Sequence, residues 1–134
     1  MFRWFRKALT RKEQGFTLIE LVVVLAILGI LIALAVPRYL AARKKAYKAE
    51  GDNILQEAKT LEWAYYQQYN TFDSTGAAIG LAMPGQAHWA SPSIGGNSQL
   101  ITMLMSGSTA PLTGTDSIWI TLSGDGSSGG GSTF

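Results

Sequence analysis

Glu20 stands where a carboxylate costs most. From Phe16 to Val36 the sequence runs twenty-one residues, and Glu20 is the only charge among them. At about 1.5 Å per residue this run is ~31 Å long as a helix, close to the ~30 Å hydrocarbon core of a bilayer. A charged residue inside a spanning helix costs roughly 2.5–3.5 kcal/mol on insertion scales, which marks Glu20 as functional. Phe16 lies four residues earlier, on the same helix face. A cut between Gly15 and Phe16 would create an α-ammonium beside the carboxylate. Opposite charges ~4 Å apart attract by about 4 kcal/mol at an effective dielectric near 20, before desolvation is charged against them. The amine could come from the same chain or from a neighbouring copy.

A second set of charges follows the run. Arg38, Arg43, Lys44, Lys45 and Lys48 precede Glu50, Asp52 and Glu57. Lys44 and Lys48 lie one to two turns from Glu50 and Asp52, so local pairs worth ~0.3–0.5 kcal/mol each are expected. The same groups could instead pair between subunits, or meet anionic headgroups at a membrane exit. Arg43, Lys44, Lys45 and Lys48 also have the charge to neutralise nucleic-acid phosphates, although the charge balance of the whole chain argues against that partner. The formal charge of +2 is misleading in this respect. Residues 1–15 hold five cations and one anion, so removing them changes +2 to −2.

Nothing else suggests catalysis. His88 is the sole histidine, there is no cysteine, and no carboxylate lies near His88 in sequence. It reads as a structural or surface residue. Asp73, Asp116 and Asp125 are dispersed, and calcium needs six to eight oxygens. No phosphate loop, nucleophile elbow or zinc spacing occurs. The sequence therefore predicts no enzyme, no metal and no cofactor.

Holding Glu20 in place requires a helix, and the pattern extends it well past the apolar run. Leu40, Tyr47, Gly51, Ile54, Ala58, Leu61 and Tyr65 recur at helical spacing and predict one buried face as far as Gln68. Phe16 to Gln68 would be ~80 Å of helix, more than so small a domain needs. Pro37 predicts a kink near Ala33, Gly29 a second weak point, and Ala26, Ala33 and Ala35 allow close helix packing. Trp63, Tyr65, Tyr66, Tyr69 and Phe72 are expected to form a core beneath a small sheet. Residues 70–86 predict a loop with one short helical turn. Strands are expected at Ala87–Ala90, Leu100–Met105 and Ser117–Leu122, the last alternating most clearly. The tail Gly124–Ser132 is either a hairpin around Asp125-Gly126 or a flexible end. Residues 60–134 contain no Lys or Arg, which predicts a polar, uncharged outer face rich in hydroxyls.

The basic leader, the hexapeptide Gly15-Phe16-Thr17-Leu18-Ile19-Glu20 and the apolar helix with Gly29 and Pro37 together resemble the type III signal of bacterial type IV pilins and pseudopilins. An ordinary secretory signal has a shorter apolar core, with its cut behind it. The resemblance covers about residues 1–70 and implies an α+β type IV pilin fold, a long N-terminal helix packed on a small antiparallel sheet. It implies three parts: a cleaved leader at 1–15, a helix at 16–69 with its hydrophobic segment at 16–36, and a small head at 70–134. It further implies cleavage after Gly15, N-methylation of Phe16 and a docking role for Glu20. The stretch between Gly29 and Pro37 would lose helicity on entering a filament. The implied partners are further copies in a helical homopolymer, the inner membrane before assembly, the prepilin peptidase and the pilus assembly machinery. The implied location is the inner membrane, then the surface pilus, serving twitching motility, adhesion or DNA uptake. Two alternatives stand beside this: a pseudopilin of a type II secretion or competence machine, and a single-pass membrane-anchored binding module that never polymerises.

Overall fold

A computed structural model describes residues 15–85 and 87–134. The leader expected at 1–15 lies outside the described residues, apart from Gly15. The described elements are one helix, α1 (Leu18–Tyr69), and four strands, β1 (Ser93–Gly96), β2 (Leu100–Ser106), β3 (Ser117–Ser123) and β4 (Ser128–Ser132). The chain divides into two compact units between Arg38 and Tyr39.

In the first unit the helix begins two residues later than the apolar run. It continues unbroken through Gly29 and Pro37. Its apolar side chains are bare: Leu18, Ile19, Ile30 and Leu34 are all at least 64% exposed. The most apolar eighteen-residue window of α1 has a mean hydropathy of 3.1 and none of it is buried, so the helix is long and apolar enough to cross a membrane. The space beside Gly29 is open, since an added Cβ would meet nothing within 4 Å.

In the second unit the C-terminal part of α1 lies on the sheet. The strands follow one another in the order β1-β2-β3-β4, all antiparallel. Alternation in β2 and β3 sends Ile101, Met103, Met105, Ile118, Ile120 and Leu122 inward. Most of these close on Ile54, Leu55 and Ala58 of α1, with Trp89 and Leu112 completing the cluster. Burying side chains of this size contributes about 1.5–3 kcal/mol each before entropy is counted. Gly51 lets the helix approach: a Cβ there would lie 2.7 Å from Trp89 Nε1 and clash with Ile118. The same indole nitrogen donates to the Tyr47 carbonyl at 2.7 Å, so Trp89 pins the helix as well as filling the core.

Four sequence expectations change. The buried helix face runs Gly51, Ile54, Leu55, Ala58 and Glu62, whereas Leu61 and Tyr65 are only partly buried. Steps of three and four residues drift around a helix, and past Ala58 the sheet selects position 62. Ala87–Ala90 is not a strand; Trp89 makes a single bridge with Gly107, and the first strand is Ser93–Gly96. Residues 70–85 contain no helical turn, and Gly76 and Gly80 adopt positive φ instead. The aromatic cluster is only partly core. Phe72 is buried, Trp63 and Tyr66 pack against its cluster, and Tyr69 is exposed.

The Gly/Ser tail is a strand. Gly126 turns the chain at φ +86°, and Asp125 Oδ1 accepts from Ser127 N at 2.8 Å. Thr133 N then donates to the Ser117 carbonyl at 3.0 Å, so the tail returns to the sheet. Its glycines suit close approach: a Cβ on Gly131 would lie 2.7 Å from the Trp119 ring, and one on Gly130 would lie 2.6 Å from the Trp119 carbonyl.

Candidate assembly site

Thr17 and Glu20 form a reciprocal cap at the start of α1. Leu18 is the first helical residue, which makes Thr17 the N-cap and Glu20 the third residue of the first turn. The Thr17 amide donates to Glu20 Oε2 at 2.8 Å, and the Thr17 hydroxyl donates to the same oxygen at 2.7 Å. In return the Glu20 amide donates to Thr17 Oγ1 at 3.3 Å. This arrangement satisfies two backbone donors that a helix start otherwise leaves bare, and places a negative charge at the positive end of the helix dipole. The spacing Thr-x-x-Glu is a sequence signature of that cap. Sequence reasoning weighed the charge of Glu20 and passed over Thr17.

The cap changes how Glu20 is understood without removing its oddity. Its carboxylate has donors from its own chain, which lowers the cost of its position. All the bonds use Oε2, so Oε1 remains to receive a further donor. Around it, Phe16 is 93% exposed, and Ile19, Leu21, Val23 and Val24 are also uncovered. An acceptor oxygen at the end of a bare apolar helix is suited to receive a cation that arrives with its own apolar partner.

Half of the charges after the run, Lys44, Lys48, Glu50 and Asp52, pair within the chain. Lys48 Nζ meets Asp52 Oδ2 at 2.7 Å, the i,i+4 pair that the spacing predicts. Lys44 instead crosses to the loop before β3 and binds both Asp116 oxygens at 2.9 and 3.0 Å. Asp116 also accepts from Thr113 N at 2.8 Å and Thr113 Oγ1 at 3.0 Å. The Lys44 ammonium holds the Asp116 carboxyl below the usual carboxylate range, with help from Thr113 and against the opposing effect of burial. Arg43 lies 5.3 Å from the Tyr47 ring centroid, and its Nε donates to the Tyr47 hydroxyl at 2.8 Å. Among the described residues, Arg38 and Lys45 make no ion pair.

Glu50 goes to His88. The His88 amide donates to Glu50 Oε1 at 2.9 Å, and Nδ1 lies 2.7 Å from Oε2. The imidazole stacks on Tyr47 with centroids 3.8 Å apart. A contact across 38 residues is invisible to sequence spacing, and it gives His88 a structural task. Asp73, Asp116 and Asp125 stay apart: among the described residues no three potential metal-binding side chains converge.

With this geometry in view, comparison with known proteins is informative. A family model described as the prokaryotic N-terminal methylation motif matches residues 10–36. The chain is 41% identical over 69 residues to the type IV wide pilus major component PilA4 of Thermus thermophilus, covering 52% of this chain and 53% of that protein. It is 36% identical over 74 residues to the fimbrial protein EcpC of Eikenella corrodens, covering 55% and 48% respectively. It is 35% identical over 72 residues to the type IV major pilin protein PilE1 of Neisseria gonorrhoeae, covering 54% and 44%. The chain spans about half the length of the curated relatives it matches. All three are named as pilus or fimbrial proteins, and none as an enzyme.

Proposed function

We propose that this chain, which carries the prokaryotic N-terminal methylation motif and is similar to type IV pilins, is the structural subunit of a type IV pilus filament. The observation that carries this reading is the bare apolar helix of the first unit, with one acidic residue at its start. A bilayer and a bundle of like helices are interchangeable apolar surroundings for Leu18–Val36, so moving from one to the other need not expose them to water. Contacts that repeat head to tail without closing give an open fibre. The named relatives include major pilins, which favours a pilus over the pseudopilin alternative.

Processing would remove 1–15, with cleavage after Gly15 and methylation of the new amine on Phe16. That amine, presented by a neighbouring subunit, would reach Glu20 Oε1 and set the axial register. Gly29–Pro37 would unwind in the fibre, although it is helical in the single chain. The subunit would wait in the inner membrane and work at the cell surface, with no catalytic part. Arg38 and Lys45, which make no ion pair among the described residues and lack the Tyr47 contact that engages Arg43, are the cations best suited to bridge subunits.

The test joins two measurements. Mature protein should begin at Phe16 by N-terminal sequencing. Glu20→Ala should insert normally yet give at least tenfold less sheared surface filament by electron microscopy. Normal filament yield from that variant, or a mature protein still beginning at Met1, would sink the reading.

A further inference from the structure

Glu62 is the most deeply buried charged side chain among the described residues, with no measurable exposure. Its Oε2 accepts from Asp73 N at 3.2 Å, while its Oε1 has no partner. A carboxylate in that position would leave a charged oxygen unsatisfied inside the fold, whereas a carboxylic acid carries its charge nowhere. Asp73 is itself the organiser of the segment after the helix. Its Oδ1 accepts from Thr75 N at 3.0 Å and Thr75 Oγ1 at 2.6 Å, and its Oδ2 accepts from Ala78 N at 2.6 Å. Phe72, next to it, is buried against Ile101 and Leu122. One backbone bond therefore ties α1 to a self-bonded loop through a group that should not be charged where it lies.

We propose that Glu62 and Asp73 form a proton-dependent latch: a protonated Glu62 lets residues 70–80 close on α1, and loss of that proton loosens the loop. The surrounding charges leave this work to Glu62. Facing it from the loop is Asp73, whose negative charge opposes a second one nearby. On α1 within two turns stand Glu57, which is exposed, Lys59, whose ammonium donates to Ser128 Oγ at 3.0 Å, Tyr65, Tyr69 and Tyr66, whose hydroxyl donates to Gln99 Oε1 at 3.2 Å. Strands β1 to β4 carry no titratable residue. Asp125, in the turn between β3 and β4, is held by Ser127. Among the described residues no cation pairs with Glu62.

The titration supports this geometry. Burial pushes the Glu62 carboxyl up to about 7, with the Asp73 N–H bond opposing and the Asp73 charge adding to the rise. Burial also pushes Asp73 up, but bonds from Thr75, Ala78 and Gly76 outweigh it and leave Asp73 below its ordinary value. A carboxyl raised in the folded state stabilises it fully below the ordinary value of 4.5. That contribution is then lost as pH climbs through about 7, after which the loss levels off.

Amide hydrogen exchange on the full chain in detergent micelles tests the latch, with rates corrected for intrinsic exchange. The opening equilibrium at the Asp73 amide, which makes the bond to Glu62, should rise roughly seventy-fold between pH 5 and pH 8. Glu62→Gln, neutral at every pH, should hold the loop closed throughout and abolish the dependence. An unchanged pH profile in Glu62→Gln, or a flat one in the unaltered chain, would overturn the latch. If the variant does not fold, carboxyl NMR of the unaltered chain decides: a Glu62 midpoint near 7 supports the proposal and one near 4.5 ends it. No filament is needed for either measurement, so this inference and the assembly reading can fail separately.

Discussion

A carboxylate is read by what reaches it, and three of them in this chain have three different fates. Glu20 is capped by Thr17, Asp116 is gripped by Lys44 and Thr113, and Glu62 is shut away with half its acceptors empty. Asp116→Ala should therefore destabilise the second unit by about 2 kcal/mol, since it strips a charged partner from Lys44 and an acceptor from Thr113 N. Thermal unfolding followed by tryptophan fluorescence would show this, and Lys48→Ala, which removes a more exposed i,i+4 pair, should cost well under half as much. Of these fates only the first left a mark on the sequence. A lone charge in an apolar run is visible by inspection, and its Thr-x-x-Glu cap was there to be noticed. The partners of Asp116, Glu50 and Glu62 lie 72, 38 and 11 residues away, across turns whose course spacing does not determine.

The long helix is the element most legible beforehand, because an apolar run long enough to span a bilayer leads directly into a 3.6-residue period from Leu40 to Tyr65. Its termini fell within two residues of expectation. The inward alternation of β2 and β3 was legible from its period as well. The edge strands were less so: β1 was not expected, and β4 was one of two readings of the tail, as a hairpin around Asp125-Gly126. Apart from Ile94, Ser93-Ile94-Gly95-Gly96 and Ser128-Gly129-Gly130-Gly131-Ser132 lack the branched and aromatic residues that signal a strand, and they pair because the neighbouring strand and its side chains already fix the surface. Gly51 shows how tightly α1 lies on that surface. Alanine normally favours a helix over glycine by about 1 kcal/mol. Here Gly51→Ala should nevertheless lower stability by roughly 1–3 kcal/mol, because the methyl must displace Trp89 and Ile118. A raised melting temperature in that variant would mean the helix can lift from the sheet at little cost. Glu62 was missed because a periodic face is searched for apolar residues, and a neutral acid passes as one of them.

At the scale of the whole chain, opposing titrations set where the protein is most stable. Asp116 and Asp73 lie below their ordinary value of 3.8, so what they contribute is present above that value and is lost as pH falls further. Glu62 contributes in the opposite direction, with stability draining away between 4.5 and about 7. The melting temperature of the second unit should therefore peak in mild acid, near pH 4 to 5, rather than at neutrality. In Glu62→Gln the decline on the neutral side should vanish while the acid side stays. The absence of Lys and Arg after Lys59 also has a practical side. Reagents that couple to primary amines will decorate the helix and leave the sheet unmarked, and trypsin will release everything from Thr60 onward as one piece. A dye meant to report on the sheet will have to be attached by other chemistry.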